Sequence, residues 1–156
     1  QPPAPVGVTD SPAELEGKVG DQPQQSSSVQ AIVSYFGASN LTTILAQSTP
    51  HGLSVRKPAL ERLLGAAPEN GPELARLASP VFHVGSNDPP LLLLHGDQDP
   101  QMPVNQSLEL QGAYEKAGLD VDLDIVHGVA HGGEAFFAGE HLQRAVDFLR
   151  RVLNAR

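Results

Sequence analysis

Residues Pro89–Pro103, PPLLLLHGDQDPQMP, decide the fold. Four leucines, Leu91 to Leu94, run into His95 and Gly96, and two aspartates, Asp97 and Asp99, follow at once. An unbroken apolar run of strand length implies a strand covered on both faces, as in the middle of a parallel sheet. Ligands and catalytic groups collect at the carboxyl ends of such strands, where the chain opens into loops.

Two more strands flank this one in sequence. VQAIVSYFG, 29–37, is rich in β-branched and aromatic residues and stops at glycine. LDVDLDIV, 119–126, alternates strictly: Leu119, Val121, Leu123 and Ile125 are expected to face inward, and Asp120, Asp122 and Asp124 to form a solvated face near a sheet edge. Helical patterns fill the gaps. NLTTILAQS, 40–48, reads as a short helix capped by Asn40. In KPALERLLG, 57–65, Pro58 opens a helix with Leu60, Leu63 and Leu64 on one face and Gly65 as its stop. GPELARLASP, 71–80, repeats that design, so 40–80 reads as a small helical insertion. A helix after residue 104 puts Leu110, Ala113, Tyr114 and Ala117 on one stripe. The last, about 138–155, groups Leu142, Ala145, Val146, Leu149, Val152 and Leu153. Strands alternating with helices imply an α/β fold with three parallel strands, about 29–36, 91–95 and 119–126, flanked by helices.

Residues 1–28 differ from the rest. They carry five prolines and the serine run Ser26–Ser28, and they lack hydrophobic periodicity, so they read as an irregular segment. Ser11, Pro12 and Glu14 have the spacing of one capped helical turn.

The chain has 156 residues, enough for one domain with a core, and a formal net charge of −8. That acidity argues against a nucleic-acid partner, which needs a basic patch. No apolar run approaches the roughly 18 residues of a membrane span. There is no cysteine, which excludes disulfides and thiolate metal sites.

The strand ends nominate the chemistry. Asp97 and Asp99 follow the leucine strand, and His131, in GVAHGGEAFF, follows the alternating one. A carboxylate beside an imidazole fixes its tautomer, and the free ring nitrogen then takes a proton from a nucleophile. Gly132 and Gly133 let the backbone pass close to a substrate or a second loop. Each residue also has a plainer reading. GDQDP is a turn composition, and His131 beside two glycines fits an ordinary turn. His95, inside the strand end, reads as structural, and His127 and His141 as surface groups. No zinc site is expected among the six histidines, and LDVDLD lacks the glycine turn and terminal glutamate of a calcium loop.

Together, DPPLLLLHGDQDPQMPVNQSLEL (88–110), AGLDVDL (117–123) and HGVAHGG (127–133) resemble the C-terminal half of α/β-hydrolase esterases and lipases. The nearest group is similar to feruloyl and acetyl-xylan esterases and related to the prolyl-oligopeptidase superfamily. The likeness extends over about residues 28–155. It implies that Asp99 is the triad acid and His131 the triad base, with Asp97 at a variable position. It makes the three strands the last three of the hydrolase sheet, so 29–156 is the C-terminal portion of one hydrolase domain. It implies a carboxylic ester substrate, small or polysaccharide-linked, no cofactor and no metal. Met102 stands where valine is usual, and Asn40, in FGASN, where an acidic residue is often found.

The family's nucleophile elbow, Gly-x-Ser-x-Gly, is absent from these 156 residues. Ser39 follows Gly37 but precedes Leu41 by two, and Ser54 follows Gly52 but precedes Arg56 by two. The resemblance therefore implies that the serine and the oxyanion loop belong to an N-terminal half of the same enzyme, and that this chain alone is inactive. A non-catalytic binding or assembly piece and a serine peptidase are the alternatives. Cut from a larger sheet, the 29–37 strand is expected to expose an apolar edge that invites association with a partner or with itself.

Overall fold

The computed structural model describes Asp21, Ser26 and residues 28–154. The helical turn expected from Ser11 lies outside the described residues. Three strands, β1 (Ile32–Tyr35), β2 (Leu91–Gly96) and β3 (Val121–Val126), pair in parallel in the order β1-β2-β3. Ile32 stands opposite Leu91, and Leu91 opposite Val121.

The central strand is buried at every position, as its sequence requires. Leu92 and Leu94 point to one side, onto Val126, Phe136, Ala145, Phe148 and Val152. Leu91 and Leu93 point to the other, onto Leu110 and Tyr114. Fully burying a leucine contributes about 1.5–3 kcal/mol, so this one strand anchors both layers of the core. Helix α4 (Asn105–Lys116) covers the second side and α5 (Gly139–Asn154) the first.

Between β1 and β2 lie α1 (Ile44–Gln47), α2 (Pro50–Leu64) and α3 (Pro72–Leu77). They enclose a separate apolar cluster of Leu41, Ile44, Leu60 and Ala75, into which Met102 inserts from the loop after β2. Helix α2 starts at Pro50, eight residues before Pro58, the expected point. Thr49 caps it by accepting the Gly52 N–H at 3.0 Å, and Pro50 takes the first turn, where its missing N–H costs nothing. Pro58 is thereby inside the helix rather than at its start. Leu63, expected on the apolar face, is exposed.

The aspartates of β3 are not a bare solvated face. Helix α5 lies along them: His141 meets Asp124 at 2.7 Å, Arg144 meets Asp122 at 2.7 Å and Asp124 at 3.2 Å, and Arg151 meets Asp120 at 2.7 Å. The repeats match in length, since ten residues of helix rise roughly 15 Å and four of strand roughly 13 Å. His141 is correspondingly not a free surface group. This ladder also sets the rotation of α5. Ala145, Phe148 and Val152 are buried, while Leu142, Leu149 and Leu153, expected on the core face, are exposed.

The outer edge of β1 has no strand partner among the described residues. Ile32 and Phe36 donate their N–H groups to Pro90 and Leu94 of the β2 side. Hydrogen bonds of parallel strands alternate, so Val33 and Tyr35 turn their backbone groups to the open edge.

Candidate active site

Asp99 lies in the tight turn after β2, where its N–H donates to the Gly96 carbonyl at 3.3 Å. One carboxylate oxygen, Oδ1, accepts the N–H groups of Gln101 and Met102, each at 2.8 Å. The other, Oδ2, faces the Nδ1 of His131 at 2.6 Å. The turn role and the imidazole contact are thus both present, one on each oxygen. The side chain is 1% exposed. Burial alone would raise its pKa. The neighbouring His95, the Met102 N–H, His131 and the Gln101 N–H outweigh burial and hold the carboxyl at about 2.

An ionised carboxylate only accepts, so Nδ1 of His131 carries the proton. In the neutral ring Nε2 then holds the lone pair, and no hydrogen bond reaches it among the described residues. This is the arrangement of a general base oriented through its far nitrogen.

His95 is fully buried and plays a different part. Its Nε2 is 3.0 Å from the Met102 carbonyl, which can only accept, so Nε2 bears the proton. Nδ1 accepts the Ser107 hydroxyl at 2.7 Å. The ring ties the strand end to the start of α4, with Nε2 3.6 Å from Asp99 Oδ2, beyond hydrogen-bond reach.

Asp97 does not meet His131. It clamps the loop that carries His131: Oδ2 accepts from His127 Nδ1 at 2.9 Å and Oδ1 from the Gly128 N–H at 2.8 Å. The His127 contact and the Gly128 N–H lower its pKa. The two loops also share backbone bonds, Asp97 N–H to Val126 and Gln98 N–H to Val129.

Helix α2 steadies the acid loop from the opposite side. Thr49 Oγ1 donates to the Pro100 carbonyl at 2.6 Å, and Arg56 Nε donates to the Gln101 carbonyl at 3.1 Å. Burial lowers the Arg56 pKa, and the nearby Asp99 charge partly restores it. The FGASN loop is fastened to α4 by polar contacts. Gln106 Oε1 accepts the N–H groups of Ser39 and Asn40, and Asn40 Nδ2 donates to Glu109 at 2.6 Å.

Sequence reasoning brought Asp99 and His131 together but missed Thr49, Arg56, Ser107 and the Asp97–His127 pair. All are contacts between segments distant in the chain, and no local spacing announces them. Among the described residues, no three His, Cys, Asp or Glu side chains gather as metal donors, and no helix is long and apolar enough to cross a membrane.

Known proteins share this framework. The chain is 34% identical over 91 residues to "Esterase LipQ" of Mycobacterium tuberculosis, covering 58% of this chain and 20% of that protein. It is 35% identical over 80 residues to "Probable carboxylic ester hydrolase LipM" of the same organism, covering 51% of this chain and 18% of that one. The chain therefore spans about a fifth of the length of these curated relatives. A solved structure, "Truncated form of carbohydrate esterase from gut microbiota", superposes with a TM-score of 0.81 at 28% identity, over 94% of this chain and 53% of that one. This likeness and the parallel sheet flanked by helices give an α/β-hydrolase fold. Residues 4–114, which include Asp99 and end before His131, match the BD-FAE family, to which this chain belongs.

Proposed function

We propose that this chain is the acid-and-base-bearing portion of a serine carboxylester hydrolase. One observation carries the reading: the buried Asp99 carboxylate, locked by two backbone N–H groups, meets His131 Nδ1 at 2.6 Å and leaves Nε2 as the proton acceptor. In the whole enzyme a serine attacks the ester carbonyl and passes its proton to Nε2. Asp99 stabilises the imidazolium that forms. His131 then protonates the leaving alcohol, and water, activated by the same nitrogen, releases the acid. The esterase relatives support an ester as substrate. The serine and the oxyanion donors come from the rest of the enzyme, which joins this chain at the open edge of β1.

A serine-directed fluorophosphonate tests the reading. The protein encoded by the complete reading frame becomes labelled on one serine, and the isolated 156-residue chain does not. Labelling of a serine within these residues contradicts the division of the triad. Light scattering tests the partner surface. The isolated chain associates through β1, and a stable monomer of 16.5 kDa contradicts that use of the edge.

A further inference from the structure

The chain leaves β1 through an unusual residue. Phe36 has φ of 41°, the one positive value for a residue other than glycine among the described residues. A bulky side chain in the left-handed region is strained and persists only where its surroundings enforce it. The Phe36 N–H still donates to the Leu94 carbonyl, at 2.8 Å, as the last rung of the β1–β2 ladder.

The strain changes which face the ring occupies. Along β1, Ile32 packs on the α4 side, and Ala31, Val33 and Tyr35 on the α5 side. Regular alternation would send Phe36 to the α4 side. It packs instead on the α5 side with Tyr35. There its ring lies 4.5 Å from the His131 imidazole, inclined at 57°. Phe136, fully buried, backs it edge-on at 5.0 Å. A Cβ built on Gly132 would lie 3.7 Å from the Phe36 ring, so the ring abuts the backbone just after the imidazole.

We propose that Phe36 is a positioning residue for His131: its left-handed backbone turns the ring onto the imidazole and holds it where Nδ1 meets Asp99. Core filling alone does not require this backbone, and the side chain is only half buried. The inference rests on His131 acting as the base, and it gives that base a second support. Asp99 fixes the tautomer, and Phe36 fixes the ring face.

NMR of the histidine-labelled protein of the complete reading frame tests this directly. The readout is the Nδ1 proton of His131 and its exchange with water. In Phe36→Leu and Phe36→Met, both unbranched at Cβ, exchange speeds up roughly two- to tenfold, the worth of one aromatic contact. Phe36→Tyr, which keeps the ring, retains the parent rate. An unchanged rate in the Leu and Met variants overturns the proposal. So does collapse of the whole backbone spectrum, which would make Phe36 a general core residue. The spectrum reports the imidazole whether or not the whole enzyme cleaves esters, so failure here is distinct from failure of the hydrolase reading.

Discussion

Gly96 runs so close to Val129 that a Cβ on Gly96 would lie 2.1 Å from the Val129 carbonyl oxygen and 2.8 Å from that of Ala130. The end of the central strand thus presses directly on the loop that ends in His131. Backbone cannot yield as a flexible side chain does. Gly96→Ala should therefore push the His131 loop away from β2, costing about 1–3 kcal/mol as overpacking does. Urea unfolding and the His131 Nδ1 proton resonance check this. Parent stability with an intact Asp99–His131 hydrogen bond would contradict it.

Asp99 links the candidate site to acid stability. Its carboxyl stands at about 2 in the folded chain against an ordinary 3.8, so the unfolded chain binds this proton more tightly. The resulting stability is fully present above about pH 4 and is lost as pH falls through about 2. It amounts to roughly 2 kcal/mol. Urea unfolding of the parent chain and Asp99→Asn should differ by that amount at neutral pH, and the gap should close near pH 2. A gap independent of pH would exclude a depressed Asp99.

Asn40 has a role that an aspartate could not fill. Its Oδ1 accepts from the Thr42 backbone and hydroxyl, while its Nδ2 donates to Glu109. Asn40→Asp would keep the acceptor and set a carboxylate against Glu109. Stability should fall by about 1–3 kcal/mol at neutral pH and recover in acid as one of the pair takes a proton. Adding Glu109→Gln supplies a donor and should restore most of the loss. Thermal melting decides it, and an unchanged Tm for Asn40→Asp at pH 7 would show the contact to be idle.

What could be read beforehand follows from the range of each interaction. Leu91–Leu94 announced a central strand because burial on both faces leaves an unbroken local signature. Asp99 and His131 were legible through motifs at successive strand ends. Pro58 misled because a proline rule applied to a short window cannot see Thr49 and Pro50 competing for the same helix start. The rotation of α5 was missed because the pairs joining Asp120, Asp122 and Asp124 to Arg151, Arg144 and His141 span 17 to 31 residues. Phe36 was invisible for a related reason. Its left-handed backbone breaks the strand's alternation, and its contact lies across the sheet.

The central claim is that Asp99 and His131 work as one acid-base unit on an ester. Steady-state hydrolysis of p-nitrophenyl acetate by the protein of the complete reading frame tests it most directly, with Asp99→Asn and His131→Ala beside the parent. Both variants should keep the fold and lose turnover by about 10⁴. Folded variants that hydrolyse the ester within about tenfold of the parent rate, a loss of only 1.4 kcal/mol, would contradict it.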